Sequence, residues 1–482
     1  MQVWILIGFV IALSFLTDPK AASTATSMTP VGWWTAAMAA VYIGGAAAMA
    51  RIGVAATLRV LARAAGAGPS AARRQRLLTM AERAWLLGGF AALLASGYAN
   101  FVSSTLALGP VPLLALWAAL IPFVAALLLT WTIDYRAHRA IRQQMAGQWP
   151  PGERPLAIWT RSQYVLFHLR THLLFIVALL SAIMLANDLL WRAAVSLWPP
   201  AQAEWIAAGG AFISAGAVFL LAPLMITRIW KTARLADGPL RRRIEELCDR
   251  LNLRYRDVLV WQTEGVLANA AVMGLIPQVR YVLLSDALLE RMDERQVMGV
   301  FAHEAGHVTG RHLLTMAVFA VTVTMLASAV FTAAIDAPTL DNWVAIGATI
   351  GLLVPLWTFA FGWMSRRLER QSDVAAAWIL SRQADGPQEQ HWDDPHITPE
   401  GAALFAGALQ RIAQLNGTPT TQPNWRHGSI ASRVRYILSL GASGGSRRPI
   451  DRLVRRIKWG VWLALAAAVA AHAGLFVLLE TG

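Results

Sequence analysis

Two histidines four residues apart flank a glutamate in His303-Glu304-Ala305-Gly306-His307. The residues around them, Asp293 to His312, read as one helix. Positions i and i+4 share a helix face, so His303 and His307 can reach one metal ion. Glu304 projects beside them, where it can act as a base on a water held by that metal. The chemistry this spacing suits is metal-assisted hydrolysis of an amide, with one Zn2+ per chain. The bland reading is a pair of histidines on an ordinary helix.

A catalytic zinc takes three protein ligands and leaves a fourth position open, so one ligand must come from elsewhere. Glu369, 62 residues beyond His307, is the best candidate. Between them lie two long apolar segments, 312–335 and 342–364, which read as an antiparallel pair of spanning helices. Such a hairpin returns the chain to the side it left and brings both ligand segments to neighbouring ends. Asp373 falls on the same helix face as Glu369, where its carboxylate can accept the free ring N–H of a ligand histidine. The rival ligands lie in His391-Trp392-Asp393-Asp394-Pro395-His396. Alternatively Glu369 belongs to a solvated charge cluster with Arg366, Arg367 and Arg370.

Composition sets the scaffold. The chain has 482 residues, 56% hydrophobic and only 15% charged. A soluble chain carries about 25% charged residues. Nine apolar segments approach the roughly 20 residues needed to cross a bilayer: 1–17, 31–50, 85–108, 111–133, 172–191, 205–226, 312–335, 342–364 and 459–479. The first lacks a basic start and reads as a retained signal anchor. The net charge of +14 comes almost wholly from arginine, concentrated in loops 51–84 and 134–171. The short loops 109–112, 198–204 and 335–342 carry no Lys or Arg. This alternation follows the positive-inside rule and argues for a bilayer, not nucleic acid, as the partner of the charge. It places the N-terminus inside and the C-terminus outside. The single cysteine, Cys248, excludes both an intramolecular disulfide and a cysteine-based zinc site.

The expected architecture is mainly α, a polytopic helical membrane protein with a zincin-type domain containing a small β-sheet. Residues 1–226 form a membrane region of about six spans. Residues 227–311 and 365–458 are the cytoplasmic halves of the hydrolytic domain, divided by the hairpin 312–364. Residues 459–482 form a last span. Within 227–311 a basic helix is expected over Thr227 to Leu251, then strands near Val258 to Trp261, Val266 to Val272 and Val279 to Ser285. A further helix is expected over Glu400 to Leu415.

Ser365-Arg366-Arg367-Leu368-Glu369-Arg370-Gln371-Ser372-Asp373 resembles the Ser-Arg-x-x-Glu-x-x-Ala-Asp motif of the membrane metalloproteases that include the type I CAAX prenyl protease and the HtpX protease, with Ser372 in place of alanine. Leu267-Ala268-Asn269-Ala270 with Gly274 is similar to that family's Asn-Ala segment, and His427 to Arg433 to its late His-Pro…Arg motif, with Gly428 in place of proline. The resemblance covers about 240 to 440 and is closer to the prenyl-protease branch. It implies that Asn269 and Ala270 pair with an extended substrate, that His427 donates to the developing oxyanion, and that Arg433 orders the substrate side of the site. The remaining histidines, His312 among them, read as interfacial or packed residues.

The function this supports is zinc-dependent endopeptidase action on membrane-associated or misfolded proteins, at the cytoplasmic face of what the arginine-rich composition suggests is a bacterial inner membrane. The alternatives are a protease of prenylated CAAX tails and a catalytically silent membrane scaffold. The partners are protein or peptide substrates and the lipid bilayer; no nucleic acid is expected, and the sequence leaves the oligomeric state open.

Overall fold

A computed structural model describes residues 2–17, 32–62, 69–335, 349, 351–383 and 392–481. The chain divides into two compact units, Met1–Thr232 and Ala233–Gly482. Among the described residues, seven helices are long and apolar enough to cross a membrane. The protein is therefore a mainly helical integral membrane protein.

The first unit contains α1 (Gln2–Thr17), α2 (Gly32–Ala62), α3 (Pro69–Ala84), α4 (Pro112–Gly147), α5 (Arg161–Leu197) and α6 (Pro200–Ile229). Helix α2 packs along α4, and α5 along α6. At 16 residues, α1 is shorter than the other apolar helices. The expected span 85–108 is not one regular helix. It runs through π turns at Trp85–Gly89, Leu94–Tyr98 and Phe101–Thr105, and Gly97 sits at φ 105°, a conformation that residues with a Cβ rarely adopt.

Residues 227–251, expected as a single basic helix, form three elements. Helix α6 stops at Ile229 as Trp230 turns extended, β1 (Thr232–Arg234) follows, and α7 (Pro239–Arg250) starts afresh. Pro239 explains the restart: it cannot donate a backbone N–H, so it suits a first helical turn and not a helix interior. The sheet is completed by β2 (Asp257–Trp261), β3 (Ala270–Met273) and β4 (Tyr281–Ser285), in the order β1-β2-β4-β3. Strand β2 runs parallel to β4, and β3 antiparallel to it, which leaves β3 at an edge.

The remaining helices are α8 (Asp286–Arg291), α9 (Glu294–Thr309), α10 (His312–Ile335), α11 (Gly362–Gln383), α12 (Pro399–Asn416), α13 (Ile430–Ala442) and α14 (Arg448–Thr481). The eighth expected span, 342–364, falls partly outside the described residues; positions 351–361 are helical and lead into α11. Helix α9 packs against α11, α12 and β3, while α10 packs along α14. A reciprocal capping box starts α9: Gln296 N donates to Asp293 Oδ1 at 2.8 Å, and Asp293 N to Gln296 Oε1 at 3.3 Å. Gly306 allows α11 to come close, since a Cβ there would lie 3.1 Å from Ser372 Cα.

Candidate metal centre

The buried face of α9 carries His303 and His307, and α11 presents Glu369 to them. His303 Nε2 lies 3.6 Å from Glu369 Oε2, and His307 Nε2 lies 3.5 Å from Glu369 Oε1. The two Nε2 atoms face each other at 3.3 Å. One ligand atom from each of the three residues fits within a 4.8 Å cluster. The neighbouring arginines do not compete for Glu369. Arg366 donates to the Trp425 carbonyl at 2.6 Å, Arg367 lies over the Trp363 ring, and Arg370 over the Tyr436 ring. A solvated arginine cluster therefore does not account for Glu369, which is only 6% exposed.

The donor set fits zinc. Two imidazoles and a carboxylate converge on one point, as in hydrolytic zinc sites. His303 turns Nδ1 to Asp373 Oδ1 at 3.0 Å, a close but bent approach. A carboxylate only accepts, so the proton belongs on Nδ1 and the Nε2 lone pair points into the cluster. Asp373 is itself held by Arg433 through a two-pronged ion pair, Nε to Oδ2 at 2.8 Å and a second nitrogen to Oδ1 at 2.5 Å. The His303 ring stacks on Phe405 with 17° between the planes.

Charge and burial shape the titration of the cluster. Burial pushes the His303 pKa down, but the Asp373 bond and charge outweigh it and the net shift is upward. Burial and the charge of His303 hold His307 well below the ordinary imidazole value. Burial pushes Glu369 up, yet the bond from His427 and the charges of His303, His307 and Arg433 keep it far below the usual carboxylate range. Glu304 moves the other way: burial raises it, and the charge of His303 only partly offsets that.

Strand β3 borders the cluster. Asn269 continues its line, with its carbonyl accepting from Ser285 N at 2.9 Å and its own N–H donating to Ser285 Oγ at 2.9 Å. With Ala270 opposite Leu284, the alternation of an antiparallel ladder turns the backbone groups of Ala270 and Val272 away from β4. The Val272 N–H meets the Glu304 carboxylate, and the groups of Ala270 face outward along the edge. Beyond them the edge is closed by Asn416, whose amide accepts from Ala268 N at 2.9 Å and donates to Ala268 O at 2.8 Å. Asn416, 148 residues away, carried no sequence signal for this pairing beyond its place before Gly417 at a helix end.

The structure also brings His427 and Arg433 to Glu369. His427 reaches Glu369 Oε1 through Nδ1 at 2.8 Å, and Arg433 lies 3.7 Å from Glu369 Oε2. The rival His391 lies outside the described residues. His396 is exposed and pairs with Asp394 at 2.6 Å, and it is not part of the metal-capable group. Three residues that sequence reasoning passed over, His312, Gln371 and Asp451, line up behind His307.

Fold and site together define a helical membrane protein with a metallopeptidase-like cluster. Residues 234–392 match the family model of peptidase family M48. The chain is similar to Protease HtpX of Pseudomonas aeruginosa, 27% identical over 194 residues, covering 38% of this chain and 58% of that protein. It is also similar to a Protease HtpX homolog of Methylacidiphilum infernorum, 25% identical over 156 residues, covering 29% of this chain and 51% of that one. The chain thus spans a little over half the length of these relatives. Its fold is similar to that in the crystal structure of S. mikatae Ste24p, with a TM-score of 0.53, 16% identity, and 85% of this chain and 100% of that one covered. The resemblance drawn from the sequence motifs is borne out on both sides, by sequence to HtpX and by fold to Ste24p.

Proposed function

We propose that this protein is a zinc metalloendopeptidase that cleaves membrane-associated or misfolded proteins at the cytoplasmic surface of a bacterial inner membrane. The observation that carries the reading is the convergence of His303, His307 and Glu369 with Glu304 beside the outward edge of β3. His303, His307 and Glu369 would hold the ion, and Asp373, clamped by Arg433, would keep the His303 ring in place. Zinc bound there supplies a water acidified toward about pKa 7 and a Lewis acid for the scissile carbonyl.

An extended peptide pairs with the outward groups of Ala270, adding a strand to the sheet edge beside Asn269. Glu304 takes a proton from the attacking water and returns it to the leaving amine. Its raised pKa suits both roles, since a base must also release its proton as an acid. His427 donates through Nδ1 to Glu369, so a neutral ring presents a lone pair at Nε2. To donate to the developing oxyanion as well, His427 must carry both ring protons. Arg433 orders this region through Asp373 and Glu369. The cytoplasmic placement is supported by the arginine-rich loops 51–84 and 134–171. The test is Glu304→Gln: purified protein should keep one zinc per chain and lose casein or peptide cleavage. Cleavage at the parent rate would remove Glu304 as the base.

A further inference from the structure

We infer that His312, Gln371 and Asp451 form a hydrogen-bond relay that fixes the tautomer and ring orientation of His307, which makes them positioning residues for a metal ligand. The inference rests on the proposal that His307 holds the metal.

The proton positions follow from the far end inward. Arg447 Nε donates to Asp451 Oδ2 at 2.9 Å. Gln371 Nε2 donates to Asp451 Oδ1 at 2.7 Å, and a carboxylate can only accept, so the amide's orientation is set by the network. Gln371 Oε1 then faces His312 Nε2 at 2.8 Å. A carbonyl oxygen also only accepts, so Nε2 of His312 carries the hydrogen. His312 is 0% exposed, and a singly protonated imidazole with its hydrogen on Nε2 presents a lone pair at its second nitrogen. That nitrogen, Nδ1, lies 2.9 Å from His307 Nδ1. Only His307 can supply the hydrogen between them, which leaves the lone pair of His307 on Nε2, the atom facing Glu369 at 3.5 Å and His303 at 3.3 Å. Ser372 Oγ, 3.4 Å from His312 Nδ1, is a second donor to the same lone pair and does not alter the assignment.

The backbone supports the same placement. Between His307 and His312 the chain turns sharply, with Arg311 at φ 50°. A Cβ on Gly310 would sit 2.9 Å from His312 Cδ2. The Lys458 ammonium of α14 donates to the Gly310 carbonyl at the same turn. Helix α14 therefore supports the relay at Asp451 and the adjoining turn through Lys458. The start of this helix serves the metal ligand as well as leading into the last apolar span.

Zinc affinity, measured by chelator competition on the full-length protein in detergent, tests the relay without reference to turnover. Loss of a group that orients a metal-bound histidine weakens binding about 10–100-fold, so His312→Phe and Gln371→Met should each show a loss of that size. In the double variant Gln371→Glu/Asp451→Asn, the introduced carboxylate still accepts from His312 Nε2 and the introduced amide donates to it. That variant should return to within about 3-fold of the parent affinity, whereas Gln371→Glu alone sets two carboxylates together and should not. Parent-like affinity in Gln371→Met, or a double variant no better than Gln371→Glu, overturns the relay alone. Parent protein that binds no zinc overturns the metal reading and the relay with it.

Discussion

Arg433→Met should lower the melting temperature of the zinc-free protein substantially, and a second substitution should restore it without restoring zinc binding. Arg433 holds Asp373 by two short hydrogen bonds, and the two side chains are 15% and 2% exposed. Removing one partner of a buried ion pair leaves an uncompensated charge and costs about 3–5 kcal/mol. For a unit the size of Ala233–Gly482, each kcal/mol shifts the melting temperature by about 2–4 °C, so the expected drop is roughly 6–20 °C. In Arg433→Met/Asp373→Leu neither charge of the pair remains, and replacing a buried pair by apolar groups is often neutral. Most of the lost stability should return. Zinc affinity should stay low, because nothing then accepts from His303 Nδ1. The assay is thermal melting of zinc-free protein in detergent, paired with chelator competition for zinc. A single variant melting within about 2 °C of the parent, or a double variant as labile as the single, would refute the reasoning about the buried charge.

His303→Ala, His307→Ala and Glu369→Ala should each strip zinc, since two protein ligands rarely hold a catalytic ion, while His396→Ala should leave the metal content unchanged. The pH dependence of stability should carry the mark of Asp373. Burial pushes its carboxyl up, but Arg433 holds it below the ordinary value. Such a group contributes fully above its unfolded pKa of about 3.9 and loses that contribution as pH falls through its folded value, so the acid loss of melting temperature should be shallower in Arg433→Met/Asp373→Leu. The raised pKa of Glu304 should place the acid limb of kcat/KM above the ordinary glutamate value of about 4.3, measured from pH–rate profiles. For topology, the single native thiol, Cys248, is buried and gives little background. Glu400→Cys should react with an impermeant maleimide only after the inner membrane is opened, and Ser196→Cys should react from outside; the reverse pattern would invert the orientation.

The core of the site was legible because it is local or topological. The i, i+4 spacing of His303 and His307 needs only a helix, and Glu369 needs only that two spans return the chain to its starting side. The strands were found near their observed places, since β-branched and apolar runs such as Tyr281–Ser285 fill the buried strand next to β3. The relay behind His307 was not legible. Its links join residues 59 and 80 positions apart, and single hydrogen bonds across such distances leave no periodic trace. His312 therefore looked like an interfacial histidine at the start of a span. Asn416 escaped for the same reason, because pairing a side-chain amide with the Ala268 backbone needs no pattern in either segment. The helix expected across 227–251 failed on a local conflict: basic residues continue through it, but Pro239 forces a new start.

X-ray absorption at the zinc edge of the purified protein tests the central claim most directly. The account predicts one zinc per chain with two imidazole nitrogens at about 2.0–2.1 Å and only oxygen in the remaining positions, and no bound zinc in His307→Ala. Protein that purifies without zinc, or a spectrum containing sulfur at about 2.3 Å, which among cysteines only Cys248 could provide, would contradict it.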